Sequence, residues 1–95
     1  VFMFLKICTV YDSKAECYLQ PFYCKSKGEA LRSFIEISND SKSQIGKYPE
    51  DFTLFELGEF DDSNANFRMY DAKVALGCAL EFVKTGSGNY DGNEG

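Results

Sequence analysis

Tyr11, Tyr18, Phe22, Tyr23 and Tyr48 lie in the first half of the chain among Lys6, Lys14, Lys25, Lys27 and Arg32. Flat rings beside cations are the parts with which a protein holds a single nucleic-acid strand. Bases stack on the rings for about 1–3 kcal/mol each, and Lys or Arg follows the phosphates. The same residues have a plainer use, since aromatics in strands commonly fill a core and lysines near helix ends are commonly solvated. The candidate nucleic-acid-binding set is Lys6, Tyr11, Lys14, Tyr18, Tyr23, Lys25, Lys27 and Arg32. Lys27 and Gly28 also open an expected helix, whose first N–H groups favour an anion.

A second group of chemistry-bearing residues is acidic. Glu56, Glu59, Asp61 and Asp62, with Glu50 and Asp51 nearby, form a stretch lacking Lys and Arg. Such a patch can imitate DNA phosphates and occupy the DNA site of a phage or host replication protein; its plainer reading is a solvated hairpin tip. Adjacent carboxylates such as Asp61 and Asp62 can also hold Mg²⁺, but the pattern is commonplace in hairpin loops. The chain contains no His, which removes the commonest general base and the Ser/His and Cys/His nucleophile pairs. It also lacks a G-x-x-x-x-G-K-[ST] phosphate loop. No catalytic residue, cofactor or metal is therefore expected.

Cys8, Cys17, Cys24 and Cys78 include no C-x-x-C pair, and they read as free thiols in a reducing compartment. The apolar run from Val1 to Leu5 is too short for the core of a secretory leader, and no segment has the length of a membrane span. The net charge is −5, divided unevenly: +2 over residues 1–49 and −7 over residues 50–95. An acidic whole argues against indiscriminate phosphate binding, while a basic surface on the first half remains open.

The elements that must position these residues follow from hydrophobic period. Phe2 to Tyr11 predicts a strand with Leu5 and Ile7 on one face and Lys6, Cys8 and Val10 on the other. Cys17 to Cys24 predicts a second, antiparallel strand; Pro21 lacks a ladder donor and makes it an edge or bulged strand. Ser26 and Glu29 form a capping box at the head of a helix over 26–38, with Ala30, Leu31, Phe34 and Ile35 as its apolar stripe. Residues 41–51 read as loop. Phe52 to Phe60 predicts a strand with Gly58 as a bulge, and Phe67 to Tyr70 pairs back on it across a hairpin loop. Lys73 to Val83 is ambiguous between a strand kinked at Gly77 and a short helix, with extended structure favoured up to about Cys78. The expected fold is α+β: a small, mostly antiparallel sheet in β-β-α-β-β order with one helix on one face. Residues 1–84 form a single domain and 85–95 a flexible tail. Open sheet edges, only one of them protected by Pro21, point to a homodimer.

Four blocks carry a family likeness: Val10 to Ala15, Leu19 to Phe22, Lys25 to Phe34, and Tyr48 to Asp62, with its Leu-Gly-Glu-Phe-Asp-Asp run. Together they resemble the non-structural protein of gokushovirus-type microviruses, small phages with circular single-stranded DNA, over about Leu5 to Val83. The resemblance implies a DNA-binding accessory protein that favours single-stranded DNA synthesis. It implies action in the cytoplasm of the infected bacterium, outside the virion, and it brings no catalytic residue with it.

Overall fold

A computed structural model describes residues 4–84. The expected tail at 85–95, and the first residues of the expected strand from Phe2, lie outside the described residues.

Five strands form one antiparallel sheet: β1 (Phe4–Asp12), β2 (Cys17–Tyr18), β3 (Phe22–Cys24), β4 (Phe52–Asp61) and β5 (Asn66–Cys78). The order across the sheet is β2-β1-β4-β5, and β3 pairs with β1 on the same side as β2. β2 and β3 are thus one edge strand interrupted at Leu19-Gln20-Pro21. Pro21 supplies no N–H to the ladder, and the Leu19 carbonyl is held by the Thr9 hydroxyl at 2.6 Å. Between β3 and β4 run α1 (Lys27–Ser38), the short α2 (Gln44–Lys47) and a 3-10 turn at Pro49–Asp51; a second 3-10 turn, Ala79–Phe82, follows β5.

The mostly antiparallel sheet with one main helix matches expectation; the element order does not. The expected second strand is split in two, and the expected loop 41–51 contains α2 and a 3-10 turn. The two expected segments at 67–70 and from 73 are one strand of 13 residues. Asp71 and Ala72 are poor strand formers, but pairing with β4 continues on both sides of them, from Arg68–Glu59 to Val74–Glu56.

Half of the expected capping box forms: the Glu29 N–H donates to Ser26 Oγ at 3.1 Å, but Glu29 Oε1 accepts from the Lys25 N–H at 2.8 Å, one residue before the N-cap, and not from Ser26. Ala30 and Phe34 of α1, Ile45 of α2 and Ala79 pack with Cys8, Val10, Cys24, Phe52 and Leu54 in one core on one face of the sheet. This will be called the helix face. Gly58 allows the close approach of β5, since a Cβ there would come within 2.5 Å of the Arg68 carbonyl oxygen. Gly77 adopts φ +150, and a Cβ on it would press the Phe82 ring at 2.7 Å, so this end of β5 demands glycine.

Strand alternation sends the remaining residues to the opposite face. The cross-strand rows Leu5–Phe60–Phe67, Ile7–Gly58–Met69, Thr9–Phe55–Ala75 and Tyr11–Thr53–Cys78 all lie there. The sheet is a half-barrel, curled into a trough with β1 and β4 as its floor. Across it the Lys73 ammonium of β5 lies 5.5 Å from the centroid of the Tyr18 ring on β2. Ile7 and Thr9 are only 4% and 2% exposed on that floor, although neither belongs to the helix-face core.

Candidate nucleic-acid interface

The trough is lined with rings. Tyr11 and Tyr18 have centroids 4.7 Å apart, Tyr18 and Phe55 6.0 Å, Tyr23 and Phe60 5.8 Å, and Phe60 and Phe67 5.0 Å. The contacts form two clusters, Tyr11–Tyr18–Phe55 across β1, β2 and β4, and Tyr23–Phe60–Phe67 across β3, β4 and β5. Tyr11, Phe55 and Phe60 are half-buried, whereas Tyr18, Tyr23 and Phe67 are 42%, 54% and 57% exposed. The inner rings fix the outer ones in place, and the outer ones stay accessible to solvent. Such preorganised, tilted rings can accept a planar group by stacking.

Of the candidate residues, Tyr11, Tyr18 and Tyr23 come together in this trough; the cations do not join them. Lys6 alternates onto the helix face with Cys8 and lies 2.7 Å from Glu59 Oε2 and 3.6 Å from Glu56 Oε2. The hydrogen bond to Glu59 lifts its pKa above the ordinary lysine value, against the opposing effect of burial. Lys14 lies in the β1–β2 turn, whose backbone N–H groups at Lys14 and Ala15 donate to Asp12 Oδ1. It lines a cavity of about 540 Å³ with Leu19, Ile37, Ile45 and Tyr48. Lys25, Lys27 and Arg32 are exposed at the head and along α1, the helix that covers the other face. At the helix N-terminus the Ser26 hydroxyl already takes the Glu29 N–H, and the Glu29 carboxylate, held by the Lys25 N–H, places a negative charge where an anion would sit. Phe22 packs against the helix-face core.

Residues outside the candidate set complete the trough: Phe55, Phe60, Phe67 and Lys73. Their signal in sequence was strand alternation across β4 and β5, obscured because β5 read as two separate segments.

The acidic stretch is largely engaged within the fold. Glu56 is buried, accepting from the Tyr70 hydroxyl at 2.5 Å and lying near Lys6. Glu59 bridges Lys6 and Arg68, the latter at 2.9 Å, and the Lys6 hydrogen bond holds its carboxyl below the usual carboxylate range. Tyr70 is pushed above the ordinary phenol value by the bond to Glu56 and by burial. Asp61 Oδ1 accepts from both the N–H and the hydroxyl of Ser63, which lowers its pKa. Among the described residues no three Cys, Asp or Glu side chains converge as a metal site, and no helix is long and apolar enough to cross a membrane.

Comparison with known proteins agrees with the likeness seen in the sequence blocks. The family model described as "Phage ORF5 protein" matches residues 5–82. Protein ORF5 of Chlamydia phage 1, a gokushovirus-type microvirus, is 36% identical over 70 residues, covering 70% of this chain and 73% of the relative. No solved structure matches. With the family model spanning both hairpins and the helix between them, the chain belongs to the phage ORF5 protein family.

Proposed function

We propose that this phage accessory protein binds single-stranded DNA in the aromatic trough during genome replication. The observation that carries the reading is the two clusters of contacting rings on one face of the sheet, whose members Tyr18, Tyr23 and Phe67 are each exposed to solvent. Rings with free faces accept unpaired bases of any sequence, and a base pair cannot enter, because its faces are covered by neighbouring pairs. The net charge of −5 supports the same choice of ligand. A duplex offers chiefly phosphates to such a surface, and an acidic protein repels them. The setting is the cytoplasm of the infected host, outside the virion, with no chemistry performed on the DNA.

The alternative, an acidic regulator that docks on a replication protein, draws less support. Two of its carboxylates, Glu56 and Glu59, are spent on Lys6, Tyr70 and Arg68. The unpaired outer edge of β5 supports self-association as a homodimer, which light scattering after size exclusion tests directly. Binding itself is tested by fluorescence anisotropy with labelled oligo-dT and with a duplex of equal length at low salt. Binding of the single strand alone is the expected result; no binding of oligo-dT rejects the reading.

A further inference from the structure

The strands carry three cations, Lys6 on β1 and Arg68 and Lys73 on β5. Lys6 and Arg68 both reach Glu59 on the helix face. Lys73 has no carboxylate within ion-pair distance among the described residues; its ammonium rests over the Tyr18 ring. Its position has a structural cause. Met69 pairs with Gly58 and Val74 with Glu56, so Tyr70, Asp71, Ala72 and Lys73 face the single residue Leu57. Tyr70 is drawn to the helix face by its hydrogen bond to Glu56. Lys73, which shares its face with Ala75 and hence with Phe55 and Thr9, emerges inside the trough and spans it from β5 to β2.

We propose that Lys73 is the phosphate-contacting cation of the aromatic trough and acts as a latch across it. This role rests on the single-stranded DNA reading above. In the empty protein the ammonium lies on Tyr18, an attraction that an arriving base can replace with its own stacking. When a base takes the Tyr18 ring, the ammonium moves to a neighbouring phosphate, so it has a favourable partner in both states. A single such contact makes binding depend weakly on salt. Each phosphate neutralised on a single strand contributes a slope of about −0.7 in log K against log salt.

The test is a series of oligo-dT anisotropy titrations at four salt concentrations with the wild-type protein, Lys73→Gln and Lys73→Arg. Lys73→Gln is expected to bind more weakly at low salt and to flatten the slope by about 0.7, while Lys73→Arg keeps the wild-type slope. In NMR spectra of the free wild-type protein, the Lys73 ε-methylene protons should be shifted upfield by the Tyr18 ring and should move downfield as oligo-dT is added. Wild-type binding with an unchanged slope in Lys73→Gln overturns the phosphate contact. Methylene signals that stay in place through saturation overturn the latch. Failure of the wild type to bind oligo-dT at all rejects the underlying single-strand reading, and the role of Lys73 falls with it.

Discussion

Tyr70 donates its phenolic proton to Glu56 across 2.5 Å, tying β5 to β4 beside the bulge where the pairing of the two strands is interrupted. The carboxylate is buried, so the bond stands in for lost hydration. Tyr70→Phe leaves Glu56 facing Lys6 at 3.6 Å and should lower stability by about 1–3 kcal/mol, read as a drop in the urea midpoint at unchanged slope. Arg68→Ala removes a pair whose guanidinium is 77% exposed and should cost well under about 1 kcal/mol. Equal losses in the two variants would show that burial does not decide the strength of this network.

The same network fixes the pH range of stability. The folded pKa of Glu59 lies below its ordinary value of 4.5. The unfolded chain therefore binds more protons there, and this contribution, present above about pH 4.5, is lost as pH falls through the folded value. Lys6 and Tyr70 are both raised, from 10.5 and 10.0. Their contributions are complete below those values and disappear as pH climbs through the folded ones. Urea midpoints should be level near neutrality and fall on both sides. In Glu59→Gln the acid limb should be shallower than in wild type, and a limb of unchanged steepness would contradict the assignment.

How much of this was legible beforehand depends on the range of each interaction. The α1 N-cap needs only Ser26 and Glu29, three residues apart, and the Ser26 hydroxyl caps the helix as read. The edge position of Pro21 follows from its missing N–H, although the full break into β2 and β3 does not. Lys6 was placed beside the rings because it is near them in sequence. Its partner Glu59 is 53 residues away, and only the β1–β4 register reveals it. Likewise, Lys73 meets Tyr18 across strands 55 residues apart in sequence, through the strand order of the whole sheet, which no local pattern displays. Alternation along β1 was read correctly, and it already separated Lys6 from Tyr11 onto opposite faces.

The four thiols differ in environment enough to be told apart by alkylation. Burial, and secondarily Cys24, pushes the Cys8 thiol up to about 12; Cys24 is also raised, chiefly by burial and then by Glu29. Cys17 is exposed in β2. Maleimide should label Cys17 first, and Cys17→Ser should abolish that phase, while Cys8 and Cys24 react only through opening of the core. Peptide mapping that finds Cys8 labelled as fast as Cys17 would contradict the packing of β1.

Both hairpin turns end in a left-handed residue that is not glycine: Glu16 with φ 57 and Ala65 with φ 63. This conformation costs an L-residue roughly 1–2 kcal/mol, partly offset by the greater freedom that glycine gains in the unfolded chain. Ala65→Gly should therefore raise stability by about 0.5 kcal/mol without altering the sheet. A loss on this substitution would mean that the turn at the β4–β5 hairpin is not of this form.

The exposed rings offer the sharpest separation of binding from folding. Tyr23 and Phe67 stand more than half exposed at opposite walls of the trough, so Tyr23→Ala or Phe67→Ala removes little buried area and should cost at most about 1 kcal/mol of stability. Each ring that stacks a base contributes about 1–3 kcal/mol to binding, and oligo-dT affinity should fall about 5-fold to about 150-fold in each variant. Phe22→Ala should behave in the opposite sense, because that ring packs against the helix-face core. It should lower the unfolding midpoint strongly, with oligo-dT affinity retained at temperatures where the variant is folded. Arg32→Gln, on the exposed side of α1, should change neither property appreciably. If Arg32→Gln weakened binding while Tyr23→Ala and Phe67→Ala left it intact, the DNA would be held by the helix and its cations, and the trough would be a second hydrophobic core instead of a binding surface.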